Sequence, residues 1–188
     1  METVRTFISF ETPEDIKMKM IQAQHVLKKA RTHVKWDPPE KFHVTIKFLG
    51  DVDGAILPSL ISRIEEISDP YSAFPVAYQV VGAFPNLKNP RVIWIGCQNP
   101  EGTLLSLKTS LEEDLIPFGF ELEKRPFHAH VTLGRVKGSK YLSDLTPMLE
   151  KLTFEPKNAT ITEIHVMKSV LKPEGSEYTV LKAIQLKS

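Results

Sequence analysis

The phrase KFHVTIKFLGDV, residues 41–52, returns in altered form as FHAHVTLGRVKG, residues 127–138. Both copies hold His-Val-Thr followed by an aliphatic residue, and both read as β-strands. In a strand, residues i and i+2 share a face. His43, Thr45 and Lys47 therefore project together, with Val44, Ile46 and Phe48 behind them. His130 and Thr132 project together in the second copy, with Val131 and Leu133 behind. Chance alone supplies about 0.4 His-x-Thr pairs in a chain of this composition. The weight therefore falls on the full phrase and on its repetition across the halves.

The flanking elements follow the same rules. TVRTFISFE (3–11) alternates as a strand. Thr12 is the expected N-cap of a helix that opens on Pro13 and runs to about Arg31, with Ile16, Met20, Ala23 and Leu27 as its apolar stripe. HVKW is a short strand before Pro38-Pro39. Residues 54–68 are expected to be helical, with Pro58 tolerated in the first turn. FPVAYQVVGAF and RVIWIGC read as two strands joined by PNLKNP. Further helices are expected at about 100–117 and in YLSDLTPMLEKL. ATITEIHVMKSVLK and SEYTVLKAIQL close the chain as a hairpin around Pro173-Glu174-Gly175.

Adjacent strands without helical crossovers, and no Gly-rich turn after the first strand, exclude a doubly wound parallel sheet. The expected class is α+β: two antiparallel sheets with outer helices, arranged as two lobes about an approximate two-fold axis and a central groove. Residues 1–188 form one bilobal catalytic domain in this reading, with the lobes meeting near residues 95–105.

The 24 basic and 23 acidic side chains nearly cancel. No broad field exists to hold a long duplex by charge, so a nucleic-acid substrate would be gripped locally. Cys97 is the only cysteine, which excludes an intrachain disulfide and suits a reducing compartment. With no membrane-length apolar run and no signal-like N-terminus, the expectation is a cytoplasmic monomer.

Two imidazoles and two hydroxyls facing one groove have a specific use. A neutral imidazole takes a proton from water, and a protonated one gives a proton to a departing oxygen. Threonine hydroxyls donate to non-bridging phosphoryl oxygens. Displacement at phosphorus sets attacking and leaving oxygens on opposite sides, which an acid and a base on facing strands match without a metal or other cofactor. His128-Ala-His130 is also a spacing usable for metal, but it lacks an evident third ligand, and no metal is expected.

FHVTIKFLG and HAHVTLGRV, with RTFISFE, GAFPN…PRVIWIGC and LKPEGSEYTVL, resemble the two-histidine (2H) phosphoesterases, and among them the RNA 2′,3′-cyclic phosphodiesterases historically called 2′-5′ RNA ligases. The resemblance implies hydrolysis of RNA 2′,3′-cyclic phosphate ends to 2′-phosphates, and 2′-5′ ligation as the reverse reaction. It implies His43 as proton donor, His130 as proton acceptor, and Thr45 and Thr132 as phosphate-binding residues. Arg135, just behind the second copy, fits the family's usual Arg and suits phosphate oxygens. Lys47, Phe48, Arg91, Trp94 and His128 are candidate substrate contacts. Gly134 stands where many relatives carry Ala, and no consequence is expected from it. The alternatives are a binding module for RNA ends or nucleotides without turnover, and a related phosphodiesterase acting on another small cyclic or 2′-5′-linked substrate.

Overall fold

The structure is a computed structural model that describes residues 2–173 and 175–188. In chain order the elements are β1 (Thr3–Glu11), α1 (Glu14–Leu27), β2 (Val34–Trp36), β3 (His43–Asp53), α2 (Leu57–Ser68), β4 (Phe74–Phe84) and β5 (Val92–Gln98). They continue as α3 (Thr103–Asp114), β6 (His130–Val136), α4 (Leu142–Lys151), β7 (Lys157–Ile161), β8 (Glu163–Lys172) and β9 (Gly175–Gln185).

The strands fall into two antiparallel sheets, β3-β1-β8-β9 and β6-β5-β4-β7. Each has its His-Val-Thr strand at the inner edge. Among the described residues one ladder pair joins them, Val44 of β3 to Val131 of β6, so the expected two sheets meet as one continuous series. β2 occupies the rest of the inner edge of β6, pairing Val34, Lys35 and Trp36 with Val136, Arg135 and Gly134. Strand order and motif position match between the sheets, as a local two-fold axis at the Val44–Val131 pair requires.

The chain does not change sheet near residues 95–105. It crosses after α2 and again at Thr162. There the expected single strand ATITEIHVMKSVLK breaks into β7, which pairs with β4, and β8, which pairs with β1. The closing hairpin is β8–β9; Glu174 in its turn lies outside the described residues. The expected helices are also shorter, α2 beginning at Leu57 and not at 54 and α4 spanning Leu142–Lys151. α1 stops at Leu27, the last buried residue of its stripe. α3 spans Thr103–Asp114 rather than 100–117. Thr12 is not a cap: it is buried, its N–H donates to the Phe42 carbonyl, and Pro13 precedes the helix without a side-chain cap.

The core is continuous across both sheets. Val44, Val131, Ile8, Ile95, Met20, Leu107 and Leu111 are all fully enclosed within it. Phe10 of β1 meets Phe74 of β4 edge-on at 6.2 Å. Burying aliphatic faces of both sheets under the helices leaves the opposite, polar faces to line the groove.

Both motif strands carry β-bulges just past the threonine. On β3, Ser9 pairs with Thr45 and Ile8 with Lys47, so Ile46 is the extra residue; a second irregularity passes over Leu49. On β6, Trp94 pairs with Thr132 and Ile93 with Gly134, so Leu133 is extra. A bulge puts two successive residues against one and resets the side-chain alternation. On β6 the carbonyl of the extra residue is satisfied: the Leu133 carbonyl accepts from Asp37 N at 2.9 Å and from Nε2 of buried Gln24 at 2.8 Å. Gly134 sits on the core side, where an added β-carbon would lie 2.8 Å from the Trp36 ring. Its glycine therefore matters, contrary to expectation. Gly134→Ala should lower stability by about 1–3 kcal/mol through overpacking, and a smaller residue at Trp36 should recover most of it, read as non-additive denaturation midpoints.

Candidate active site

The antiparallel Val44–Val131 pair sets Thr45 beside His130 and His43 beside Thr132. All four side chains are half-buried on the groove face, while the two valines point into the core. The expected grouping of these four residues is therefore observed.

The bulges decide what comes next along each strand. With Ile46 extra, Lys47 turns into the interior and Phe48 turns onto the groove face, the reverse of strict alternation. Lys47 is 5% exposed and Phe48 is 74% exposed. Lys47 still borders the cleft beside Thr45 and His130, but its ammonium is buried against Glu112 instead of lying open on the groove floor. The bulge supplies the bend that releases Phe48 from the core packing its parity favoured, leaving it on the cleft as a candidate substrate contact. With Leu133 extra, Arg135 lies opposite Val92, on the same face as Thr132 and Trp94. It is exposed there.

Lys47 instead serves a buried network. Its Nζ lies 2.8 Å from Glu112 Oε2, and Glu112 Oε1 lies 2.8 Å from Lys108 Nζ. Glu112 also accepts the Glu123 N–H at 2.9 Å. Burial pushes the Glu112 carboxyl up, but the Lys108, Lys47 and Glu123 hydrogen bonds together hold it below its ordinary value. One carboxylate thus ties β3, α3 and the 119–129 loop that leads into β6.

Each catalytic candidate is held the same way. His130 Nδ1 lies 2.6 Å from the His128 carbonyl. A carbonyl only accepts, so Nδ1 carries the hydrogen and Nε2 of the neutral ring has a free lone pair. His43 hydrogen-bonds the Lys41 backbone, also two residues upstream. Aromatic rings enclose both: Phe7 and Tyr178 at 5.1 and 5.2 Å from His43, Phe84 and Trp94 at 5.0 and 6.1 Å from His130. Desolvation is the main cause that takes His43 down to about 4, with Lys41 and Glu11 opposing and His130 assisting. Desolvation also lowers His130, opposed by the His128 carbonyl and assisted by the charges of His128 and Arg135. Glu11 stands opposite His43 in the β1–β3 register.

Beside Thr45 and His130 opens a cleft of about 920 Å³, with Phe48, Phe84, Val92 and Leu122 among its lining residues. The remaining candidates divide. His128 is exposed before β6 begins, its ring 6.0 Å from that of His130. Trp94 is 9% exposed and lies behind it, 4.5 Å from the His128 ring, on a seat where a β-carbon at Gly82 would come within 2.1 Å of the indole. Arg91 is exposed outside the cleft lining, and its backbone links β4 to β6. Phe7, Glu11, Phe84, Glu112 and Tyr178 were not singled out by the sequence, because only tertiary contacts bring them to the histidines. Burial pushes the Cys97 thiol up to about 12, which makes it inert. Among the described residues no three His, Cys, Asp or Glu side chains converge as a metal-ligand set.

A sequence profile for the family described as LigT like Phosphoesterase matches twice, over residues 10–94 and 95–178. The chain belongs to this family. The first match holds His43 and the second His130. The boundary between the matches falls inside β5, so the sequence repeat and the two sheets divide this LigT-like phosphoesterase differently. The RNA 2′,3′-cyclic phosphodiesterase of Methanothermobacter thermautotrophicus is 32% identical, over 97% of this chain and 99% of its own. That of Archaeoglobus fulgidus is 31% identical, over 97% and 100%. Among solved structures, a Thermus thermophilus protein superposes with a TM-score of 0.81 at 24% identity, covering 98% of both chains. Escherichia coli LigT in apo form gives 0.77 at 23% identity over 100% of both chains. These two establish the shared fold.

Two outcomes follow for the site. The depressed His43 pKa makes neutral His43 part of the folded state. Its contribution is complete above the unfolded value near 6.5 and is lost as pH falls from there to about 4. Chemical denaturation between pH 7 and 4 should show the wild type losing of order 3 kcal/mol more than His43→Gln. Glu112→Gln leaves two buried ammonium groups without a counter-charge and should cost about 3 kcal/mol, with faster amide exchange in residues 119–126.

Proposed function

We propose that this LigT-like phosphoesterase hydrolyses RNA 2′,3′-cyclic phosphate ends to 2′-phosphomonoesters, with no metal or other cofactor. His130 Nε2 takes a proton from water as the water oxygen bonds to phosphorus. The bond from phosphorus to the 3′ oxygen breaks, and His43 gives that oxygen its proton. Thr45 and Thr132 donate to the non-bridging oxygens, and Arg135 offsets their charge. Proton exchange with solvent then resets the two rings. The same groups run the reverse reaction, which joins ends through a 2′-5′ linkage.

The observation that carries this reading is the Val44–Val131 junction, which brings an imidazole and a hydroxyl from each strand to one groove face. The neighbouring charges differ between the rings: Glu11 favours the imidazolium at His43, whereas Arg135 and His128 disfavour it at His130. Desolvation is the larger cause at both and takes His43 to about 4, so the assignment of donor and acceptor rests on the family resemblance. The names of the archaeal relatives supply the substrate class. Both histidines come from one chain, so the reading takes residues 1–188 as one bilobal catalytic domain that acts as a monomer. No helix among the described residues is long and apolar enough to cross a membrane, and the proposed place of action is the cytoplasm, where RNA ends are found.

The test is turnover of 2′,3′-cyclic nucleotides and of a cyclic-phosphate-ended oligonucleotide in the presence of chelator. His43→Ala and His130→Ala should each lower kcat by roughly 10²–10⁴-fold. The profile of kcat/KM against pH should be bell-shaped, with its optimum below the ordinary histidine value because both free-enzyme pKa values are depressed. Full activity in either variant, loss of activity with chelator, or a profile flat from pH 5 to 8 would refute the mechanism.

A further inference from the structure

The two motif strands share His-Val-Thr and a bulge at the aliphatic residue that follows, Ile46 or Leu133, and differ from there on. At the fifth position after the histidine β3 carries Phe48 and β6 carries Arg135, both turned onto the groove face by their bulges. The groove therefore has an aromatic end and a cationic end. More positive charge gathers at the second. Arg135 stands directly opposite Lys35 in the β2–β6 pair. Lys35 and Lys41 converge over Gly175, where a β-carbon would meet their Nζ atoms at 3.5 and 3.1 Å. Like charges placed opposite each other on paired strands repel.

One carboxylate lies among these three cations. Burial raises the Asp37 carboxyl, while Arg135, Lys41 and Lys35 all favour its ionised form. Among the described residues the other acids nearby are exposed Glu40 and Glu177, and Glu177 is paired with Lys172 at 2.6 Å. Asp37 leaves the cluster with an excess of positive charge. The cluster adjoins the reacting centre through two links. The Lys41 backbone accepts a hydrogen bond from the His43 ring. The Tyr178 ring lies edge-on to His43 at 5.2 Å, and its phenol senses both Asp37 and Arg135.

We propose that Lys35 and Lys41, with Arg135 standing between them and the reacting phosphate, form a second phosphate site, which holds the phosphodiester immediately 5′ of the terminal nucleotide while the cyclic phosphate lies between the histidines. The site selects the end of a strand over a free cyclic mononucleotide. It also sets direction: the chain leaves the groove over β2 and Gly175, and the terminal base lies toward Phe48. A charge excess this local suits a protein whose formal net charge is only +1, because it engages one extra phosphate and no long duplex. The inference rests on the proposed activity.

The test compares a 2′,3′-cyclic mononucleotide with a dinucleotide that ends in the same cyclic nucleotide. Wild type should prefer the dinucleotide by at least tenfold in kcat/KM. Lys35→Ala/Lys41→Ala should reduce that ratio about tenfold, chiefly through KM, whereas Lys172→Ala should leave it in place. No wild-type preference, or a preference that survives the double substitution, would overturn the second site. If wild type hydrolyses neither substrate, the activity reading fails, and binding decides the site on its own. Anisotropy titrations of the matching 2′-phosphorylated mono- and dinucleotides should then differ in salt slope by about 0.7. The double substitution should abolish that difference; equal slopes in the wild type would overturn the site.

Discussion

One pair of residues, Val44 and Val131, carries the organisation of this protein. Each valine is fully buried, and together they make the only ladder pair between the two sheets among the described residues. A strand buried on one face must present its alternate residues on the other. Sealing the valines into the core therefore fixes where His43, Thr45, His130 and Thr132 stand. A one-residue slip in register would bury the imidazoles and expose the valines. The hydrophobic effect, worth about 1.5–3 kcal/mol for each such side chain, thus sets the geometry of a polar site it never touches.

The bulges at Ile46 and Leu133 add the second constraint. Each sends its extra aliphatic residue into the core and rotates the strand beyond it. On β3 this brings Phe48 out and takes Lys47 in, where Glu112 must neutralise it. On β6 it brings Arg135 out and takes Gly134 in, where no side chain fits beneath Trp36. Equivalent distortions therefore yield unlike results, because the residues after them differ. A scaffold with near two-fold symmetry ends as a groove with two different ends, as a substrate with a direction needs.

Much of this was legible in the sequence. Alternation located the strands and the 3.6-residue stripe located the helices, because burial drives both patterns. The repeated phrase identified the four groove residues for the same reason. At Leu133 the adjoining Gly134 is the kind of residue that marks a bulge within a strand. The bulge at Ile46 was not legible, because no glycine or proline adjoins it. Strict alternation therefore misplaced Lys47 and Phe48. Residues 159–172 read as one strand because the propensity of ATITEIHVMKSVLK continues through Thr162, and only the competition of β4 and β1 for partners divides it. Tyr178 and Phe84 sit in ordinary strand sequence, and their closeness to the histidines arises from the closing of the sheets.

The crossing at Thr162 has a consequence for how the molecule comes into being. β1 and β3 leave the ribosome early, yet their sheet is completed by β8 and β9, from the last part of the chain. The outer edge of β1 stays without its partner until residue 163 and beyond have been made. The aromatic enclosure of His43 waits for Tyr178, which lies 135 residues further along the chain (178 − 43). Pairings so distant in sequence form late and slowly. A nascent chain can carry both His-Val-Thr phrases and still lack the finished groove, so the site matures only after β8 and β9 have been made.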